Sequence, residues 1–196
     1  MPSEWTISTL ANSEKITHAD SDLLSARVFT DYTGEIDWCT RMRSDPNYKD
    51  AYTRTAISPD GALGAQLFLI DRTIRIESSS LRMGGIGGVG TEPVHRRQGL
   101  ASRLMQDTIS YMKEEGFDVS LLFSIPADYY DRFGYMTVLP EYTTTIAGLT
   151  RLNSIRTLRT RLKTRKLAMK DLPHLPALYD KTYHGVTGSC IRSRHH

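Results

Sequence analysis

Val94-His-Arg-Arg-Gln-Gly-Leu-Ala101 is the most informative segment of the chain. It joins a glycine-rich apolar run to the strongest helical periodicity. Downstream, Leu100, Leu104, Thr108 and Met112 step by four, and Met105 and Ile109 widen the stripe. This spacing predicts an amphipathic helix over Gly99 to Glu115, ended by Gly116. Upstream, Leu81 to Thr91 reads as a strand stopped by Pro93. A strand-to-helix elbow can aim successive backbone N–H groups at one point. The helix macrodipole and the charges of Arg96 and Arg97 make that point positive, while Gly99 and Ala101 leave it bare. From spacing alone, an anion-binding elbow and a solvated basic loop are equal readings. Gly85-Ile-Gly-Gly-Val-Gly90 also matches G-x-G-x-x-G, but that fingerprint needs its glycines in the turn that opens a helix. Here they fall inside a strand, where they let another backbone or a ligand come close.

Outward from this segment the chain alternates between strand and helix signals. Trp5 to Leu10 is a weak first strand. Asp20 or Asp22 caps a helix through Leu23, Leu24, Ala26, Val28 and Phe29. Asp31 to Asn47 reads as loop plus short helix. Ala51 to Ile57 and Leu63 to Ile70 form a hairpin about Ser58-Pro-Asp-Gly61, whose Pro59 presets φ. Arg72 to Ser80 alternates as a further strand. After the long helix, Val119 to Phe123 reads as a strand buried on both faces. Ala127 to Phe133 fits one or two helical turns ending at Gly134, and Tyr135 to Leu139 and Tyr142 to Ile146 read as strands. The order implies an α/β (α+β) domain with a mixed sheet.

With 196 residues, 39% apolar and 24% charged, the chain is one domain, or one domain with an appendage. Cys39 and Cys190 form no CxxC, which argues against a disulfide scaffold or structural zinc. His174 and His184 lack ligand partners, so no metal is assigned. The N-terminus shows no signal-peptide pattern and no 18-residue apolar window occurs, so the cytoplasm is the expected location. Residues 150–196 hold 11 Lys/Arg against 2 Asp/Glu, while residues 1–149 are mildly acidic. A basic tail can bind nucleic acid or an anionic surface. Residues 151–170 contain no aromatic for stacking bases, which argues against nucleic acid. Leu158, Leu162 and Leu167 suggest that part of the tail packs.

Arg96-Arg97-Gln98-Gly99-Leu100-Ala101 resembles the Arg/Gln-x-x-Gly-x-Gly/Ala signature of the GNAT superfamily of N-acyltransferases. Val89-Gly-Thr-Glu-Pro-Val-His95 is similar to the end of that family's fourth strand, and Ala127-Asp-Tyr-Tyr-Asp-Arg-Phe-Gly-Tyr135 to its second signature. The separation, one helix and one buried strand, also fits. The resemblance implies a mixed, mostly antiparallel sheet with splayed central strands and flanking helices. The pairing of His95-Arg96-Arg97 with Tyr130-Asp-Arg-Phe-Gly-Tyr135 looks like the enhanced-intracellular-survival (Eis-type) subfamily of aminoglycoside and lysine N-acetyltransferases. Asp171-Leu-Pro-His-Leu-Pro-Ala-Leu-Tyr179 and Gly188-Ser-Cys-Ile-Arg192 are similar to the start of its second acyltransferase-like region. Such proteins are about twice as long, so the resemblance implies a GNAT domain over 1–148 and, over 149–196, a basic linker and the truncated start of the second region.

The resemblance further implies acetyl-CoA as cosubstrate. Arg96, Arg97, Gln98, Gly99, Leu100, Ala101 and Ser102 would hold its diphosphate, and Val89, Gly90 and Thr91 would pair with its pantetheine arm. Ser124 and Ile125 would line the other wall of the cleft. Tyr130 matches the family's general acid, which donates to the departing thiolate. Tyr129, Tyr130, Phe133 and Tyr135 also read as core aromatics at helical spacing, which suits Phe133 and one of the adjacent tyrosines, whereas the motif selects Tyr130 as the acid. No general base is legible: Glu92 lies in the proline turn facing solvent, and His95 sits on the phosphate side. Asp31, Glu35 and Asp37 with Phe29 and Trp38 would suit a cationic amine, or form a solvated acidic loop. The implied activity is acetyl transfer to a primary amine of lysine, polyamine or aminoglycoside type, by direct attack in a ternary complex. A homo-oligomer is implied as well. The alternative is a non-catalytic acyl-CoA-binding or partner-binding module.

Overall fold

The computed structural model describes residues 4–29, 34–123, 127–138 and 165–192. The expected strands Tyr135 to Leu139 and Tyr142 to Ile146 fall partly and wholly outside these. Five strands, β1 (Thr6–Thr9), β2 (Thr53–Ile57), β3 (Leu63–Ile76), β4 (Ser79–Thr91) and β5 (Val119–Leu122), form one sheet in that order. The first three pairings are antiparallel. β4 and β5 run parallel. That reversal requires a crossover, which the long helix α3 (Leu100–Glu114) supplies. The sheet is mixed and mostly antiparallel, as the order of elements implies.

The β2–β3 hairpin turns at Ser58-Pro-Asp-Gly61, with Gly61 at φ +91°. β3 then runs unbroken to Ile76, where a break near Asp71 is expected. The polar residues there are satisfied in place: Arg72 pairs with Asp45, and Asp71 accepts from Arg82 (2.8 Å) and Tyr52 (3.0 Å). No turn is needed to return them to water.

Helix α1 (His18–Val28) is capped by Thr17 rather than by either aspartate, with Asp20 as the reciprocal N3 partner. With α2 (Glu35–Arg43) it covers one face of the sheet: Leu24 lies against Gly90, and Trp38 meets Phe68 edge-on at 5.5 Å. α3 covers the other face. Its Leu100, Leu104, Met105 and Met112 pack on Ala56, Ala65, Leu67, Leu69 and Ile86. Both ends of α3 are tied to the sheet. Arg103 donates to the Trp5 carbonyl at 2.9 Å, and Arg82 of β4 donates to the Glu115 carbonyl at 2.6 Å. Buried Arg54 of β2 pairs with Asp107 between them. The helix N-terminus is thereby fixed at the end of β4.

β5 differs from expectation. Its residues are only partly covered, and Leu121 and Phe123 are exposed, because β5 has β4 as its single partner among the described strands. Residues 135–138 form no strand. Residues 165–192 end in a helix α4 (Leu175–Tyr183) and a segment that extends β3 where β2 has stopped. Gly188 N–H donates to the Arg75 carbonyl at 2.7 Å, and Ile191 N–H to the Thr73 carbonyl at 2.8 Å. Asp180 pairs with Arg75. Leu167 is exposed; Leu158 and Leu162 lie outside the described residues. Among the described residues no helix is long and apolar enough to cross a membrane.

Candidate functional site

The site begins with an irregularity in β4. Gln66 pairs with Gly90, but Phe68, two residues on, pairs with Gly87, three residues back. β4 therefore carries one extra residue, a bulge at Gly88-Val89. Gly88 has φ +56°, and a Cβ there would overlap the ring of Phe68. The other strand glycines also make room for side chains of the protein itself: Gly84 for Met112, Gly87 for Trp38, Gly90 for Leu24 and Val28. The glycine run is a packing device on both faces, not the bare surface for a ligand that its composition suggests.

The ligand-accessible feature is the edge of β4. Pairing with β5 ends at Ile86–Leu122, while β4 continues to Thr91. From Gly87 onward its second edge has no strand partner among the described residues. Glu92 N–H turns to the Gly64 carbonyl of β3 at 2.9 Å, so the Thr91 amide and carbonyl face the open side. Arg96 Nε reaches that carbonyl at 3.4 Å, folding its guanidinium back over the end of β4.

Next comes the elbow. Pro93–His95 makes a short 3-10 turn, then Arg97 (φ +62°) and Gly99 (φ +77°) take left-handed conformations that swing the chain into α3. Arg96, Arg97, Gln98 and Gly99 are exposed. Gly99 is the N-cap, no side chain caps the helix, and nothing lies within 4 Å of where a Gly99 Cβ would be. The first-turn amides at Leu100, Ala101 and Ser102 have no intrahelical acceptor. This arrangement suits an anion. The Gln98 side-chain Oε1 accepts from Trp5 Nε1 at 3.1 Å.

Tyr130 lies between two 3-10 turns, Ala127–Tyr129 and Asp131–Phe133. It is partly buried, and like Val89 and Leu122 it packs against the apolar core under the sheet. Burial, reinforced by the phenols of Tyr129 and Tyr135, raises its pKa above the usual tyrosine value. The elbow and Tyr130 are joined through Tyr129, whose hydroxyl lies 3.4 Å from Ser102 Oγ. Ser102 of the elbow, Tyr129 and Tyr130 thus form one chain of contacts, while Val89, Gly90, Thr91, Arg96, Arg97, Gly99, Leu100 and Ala101 lie along the end of β4 and the elbow that follows it. Ser124, Ile125 and Asp31 lie outside the described residues, as does the Glu35 side chain. Asp37 is exposed, and Trp38 stands over Gly87 beside the bulge.

Neither suggested base is placed for that role. Glu92 does not face solvent: its Oε1 accepts from Arg27 Nε at 2.8 Å, and its Oε2 is buried. The His95 ring packs edge-on against Trp5 at 4.9 Å. The Arg27–Glu92 pair, the bulge and the Ser102–Tyr129 contact have no local sequence signature. A hint of the bulge was available, since four glycines between Gly84 and Gly88 exceed what a strand tolerates without an irregularity.

The chain belongs to the GNAT acetyltransferase family: the model described as Acetyltransferase (GNAT) domain matches residues 20–138. No curated protein matches it in sequence. Among solved structures, a conserved protein of Enterococcus faecalis V583, a probable N-acyltransferase, has a TM-score of 0.68 at 15% identity, covering 98% of this chain and 47% of its own. A GCN5-related N-acetyltransferase of Anabaena variabilis has a TM-score of 0.70 at 17% identity, covering 98% and 46%. A Trypanosoma brucei acetyltransferase has a TM-score of 0.52 at 16% identity, covering 73% and 100%. At these identities the likeness is one of fold. The chain spans about half the length of the first two relatives.

Proposed function

We propose that the chain transfers an acetyl group from acetyl-CoA to a primary amine by direct attack in a ternary complex. The observation that carries this reading is the chain of contacts from the uncapped N-terminus of α3, through Ser102 and Tyr129, to the phenol of Tyr130. A non-catalytic binding module would not need a half-buried phenol held beside the helix start.

Acetyl-CoA supplies a thioester, an acyl group activated toward amines. The amides of the α3 first turn, with Arg96 and Arg97, hold its diphosphate. The free edge of β4 offers strand-like pairing to the pantetheine arm, with Thr91 its outermost partner and the bulged Gly88-Val89 its innermost. An amide freed by the bulge is suited to donate to the thioester oxygen as negative charge gathers there. The amine nitrogen bonds to the carbonyl carbon and the C–S bond breaks. Tyr130 gives its proton to the leaving sulfur, the amine loses one to water, and the phenol is restored from solvent. Because Tyr130 is held above the ordinary tyrosine pKa, it stays protonated through neutral pH.

Trp38 beside the bulge and exposed Asp37 suit a cationic, amphipathic acceptor of lysine, polyamine or aminoglycoside type. An Eis-type assignment, with the domain over 1–148 and the start of a second region over 149–196, is supported by the motif pairing. The test is Tyr130→Phe. Thiol release from acetyl-CoA should fall about 10²–10⁴-fold, while thermal stabilisation by coenzyme A persists. Turnover unchanged by the substitution would remove Tyr130 from the reaction.

A further inference from the structure

Resting on the acid role proposed for Tyr130, we infer that Tyr135 and Ser120 are its positioning residues: a hydrogen-bonded pair that fixes the phenol's aim from the paired stretch of β4 and β5. The backbone around Tyr130 does little to fix its ring. It sits at the junction of two short 3-10 turns, braced locally by the Phe133 N–H to Tyr130 carbonyl bond at 2.9 Å. Its hydroxyl makes no hydrogen bond among the described residues. The ring is therefore held by its neighbours, Tyr129 at 4.9 Å and 82° and Tyr135 at 6.2 Å and 75°, both edge-to-face.

Tyr135 is the better anchored of the two. Gly134, at φ +88°, folds the chain back so that Tyr135 returns beside Tyr130. Ser120 Oγ lies 2.6 Å from the Tyr135 hydroxyl and 2.8 Å from the Gly84 carbonyl. The proton directions follow. A carbonyl only accepts, so the Ser120 hydrogen goes to Gly84, and Tyr135 must donate to Ser120. Gly84 and Ser120 face each other in the β4–β5 ladder, one step before the last pair but one from the point where the strands part. The relay thus ties the Tyr135 ring to the rigid, still-paired part of the two strands. Tyr130, leaning on that ring, is aimed across the part that opens. Misplacement of a reacting group by about 1 Å can lower a rate about 10²-fold, so a loosened support has a measurable effect.

The test is a mutant cycle read by thiol release from acetyl-CoA, with lysine, spermidine and kanamycin as acceptor probes and folding checked by thermal melting. Tyr135→Phe keeps the ring and deletes the donor. The expected result is a kcat lowered about tenfold with KM for acetyl-CoA within about twofold of the parent. Ser120→Ala should match it, the double variant should be no worse than either single one, and Ser120→Thr should restore the rate. In a Tyr130→Phe background, Tyr135→Phe should have no further effect. A further loss in that background, additive losses at 120 and 135, or a change in KM alone would overturn the positioning role while leaving the acid role standing. If Tyr130→Phe is itself as active as the parent, or no probe releases thiol, the acid reading falls and this inference with it. Should Ser120→Ala fail to fold, the Tyr135→Phe cycle decides the question alone.

Discussion

Replacing Gly88 by alanine tests the bulge in β4. Two penalties meet at this position. The φ of +56° is left-handed, which costs an L-residue about 1–2 kcal/mol. The new methyl would also overlap the Phe68 ring, which is fully buried and pinned by Trp38, so it cannot step aside. Overpacking of that kind costs about 1–3 kcal/mol. Together they give about 2–5 kcal/mol, or about 4–20 °C in melting temperature for a chain of this length. Gly87→Ala is the matched control. Gly87 has no positive φ, and the nearest side chains would lie 3.5 Å and 3.6 Å from its Cβ, ordinary contact distances. Its melting temperature should stay within about 3 °C of the parent, since alanine in a strand is no worse than glycine. Shortening the obstacle with Phe68→Leu in the Gly88→Ala background should recover the overpacking share and leave the backbone share, a coupling that a double-mutant cycle isolates. Differential scanning fluorimetry with and without coenzyme A reads both effects, and the coenzyme-induced shift should shrink in Gly88→Ala alone. Equal melting temperatures for the two alanine variants would refute the bulge as a constrained feature.

Two other outcomes follow from the site and the core. Arg97→Ala should weaken coenzyme A binding about threefold to tenfold and flatten its dependence on salt, because an exposed cation next to bound phosphates acts mainly through screened attraction; titration calorimetry at two ionic strengths checks this, and an unchanged salt slope would exclude Arg97 from the anion site. Burial raises the pKa of Tyr48, Tyr52, Tyr111, Tyr130 and Tyr135. The folded chain therefore holds these protons more tightly than the unfolded one, and their contribution is complete below the unfolded value near 10. It is lost as pH rises from there through the folded values, so urea midpoints should be flat from pH 8 to about 9.5 and fall beyond; a midpoint unchanged at pH 10.5 would contradict the sign.

The parts of this fold legible in the sequence are those with a local cause. The α3 periodicity, its glycine stop, the Ser58–Gly61 turn and the elbow motif each follow from residues adjacent in the chain. What the sequence concealed was decided at long range. The junction of two apparent strands into β3 depends on Arg72 meeting Asp45 and on Asp71 meeting Arg82 and Tyr52, partners brought close by the fold. One local feature also misleads: Thr17 and Asp20 cap α1 reciprocally, so either residue alone reads as its start. Glu92 looks solvent-bound from its proline turn, yet Arg27, on a helix across the sheet, captures it. Tyr129 and Tyr135 could be seen as aromatics but not as supports, since their serine partners lie on α3 and β5.

The glycines of β4 carry the argument furthest. Four of them accept side chains from α1, α2, α3 and β3, so this strand lies between helices that could not otherwise approach it so closely. That crowding fills both faces and leaves one direction free, the edge beyond Ile86. A ligand entering there meets main-chain donors and acceptors rather than side chains, which explains why the segment that should bind an extended arm contains no polar side chain between Gly84 and Gly90. On the proposed reading, recognition depends on backbone geometry: the bulge would set the inner end of the edge and the uncapped helix the outer end, with the rings of Tyr129 and Tyr135 against the Tyr130 phenol. Substitutions that preserve side-chain chemistry but alter backbone shape, at Gly88 above all, should damage this site more than many that remove a charge from its rim.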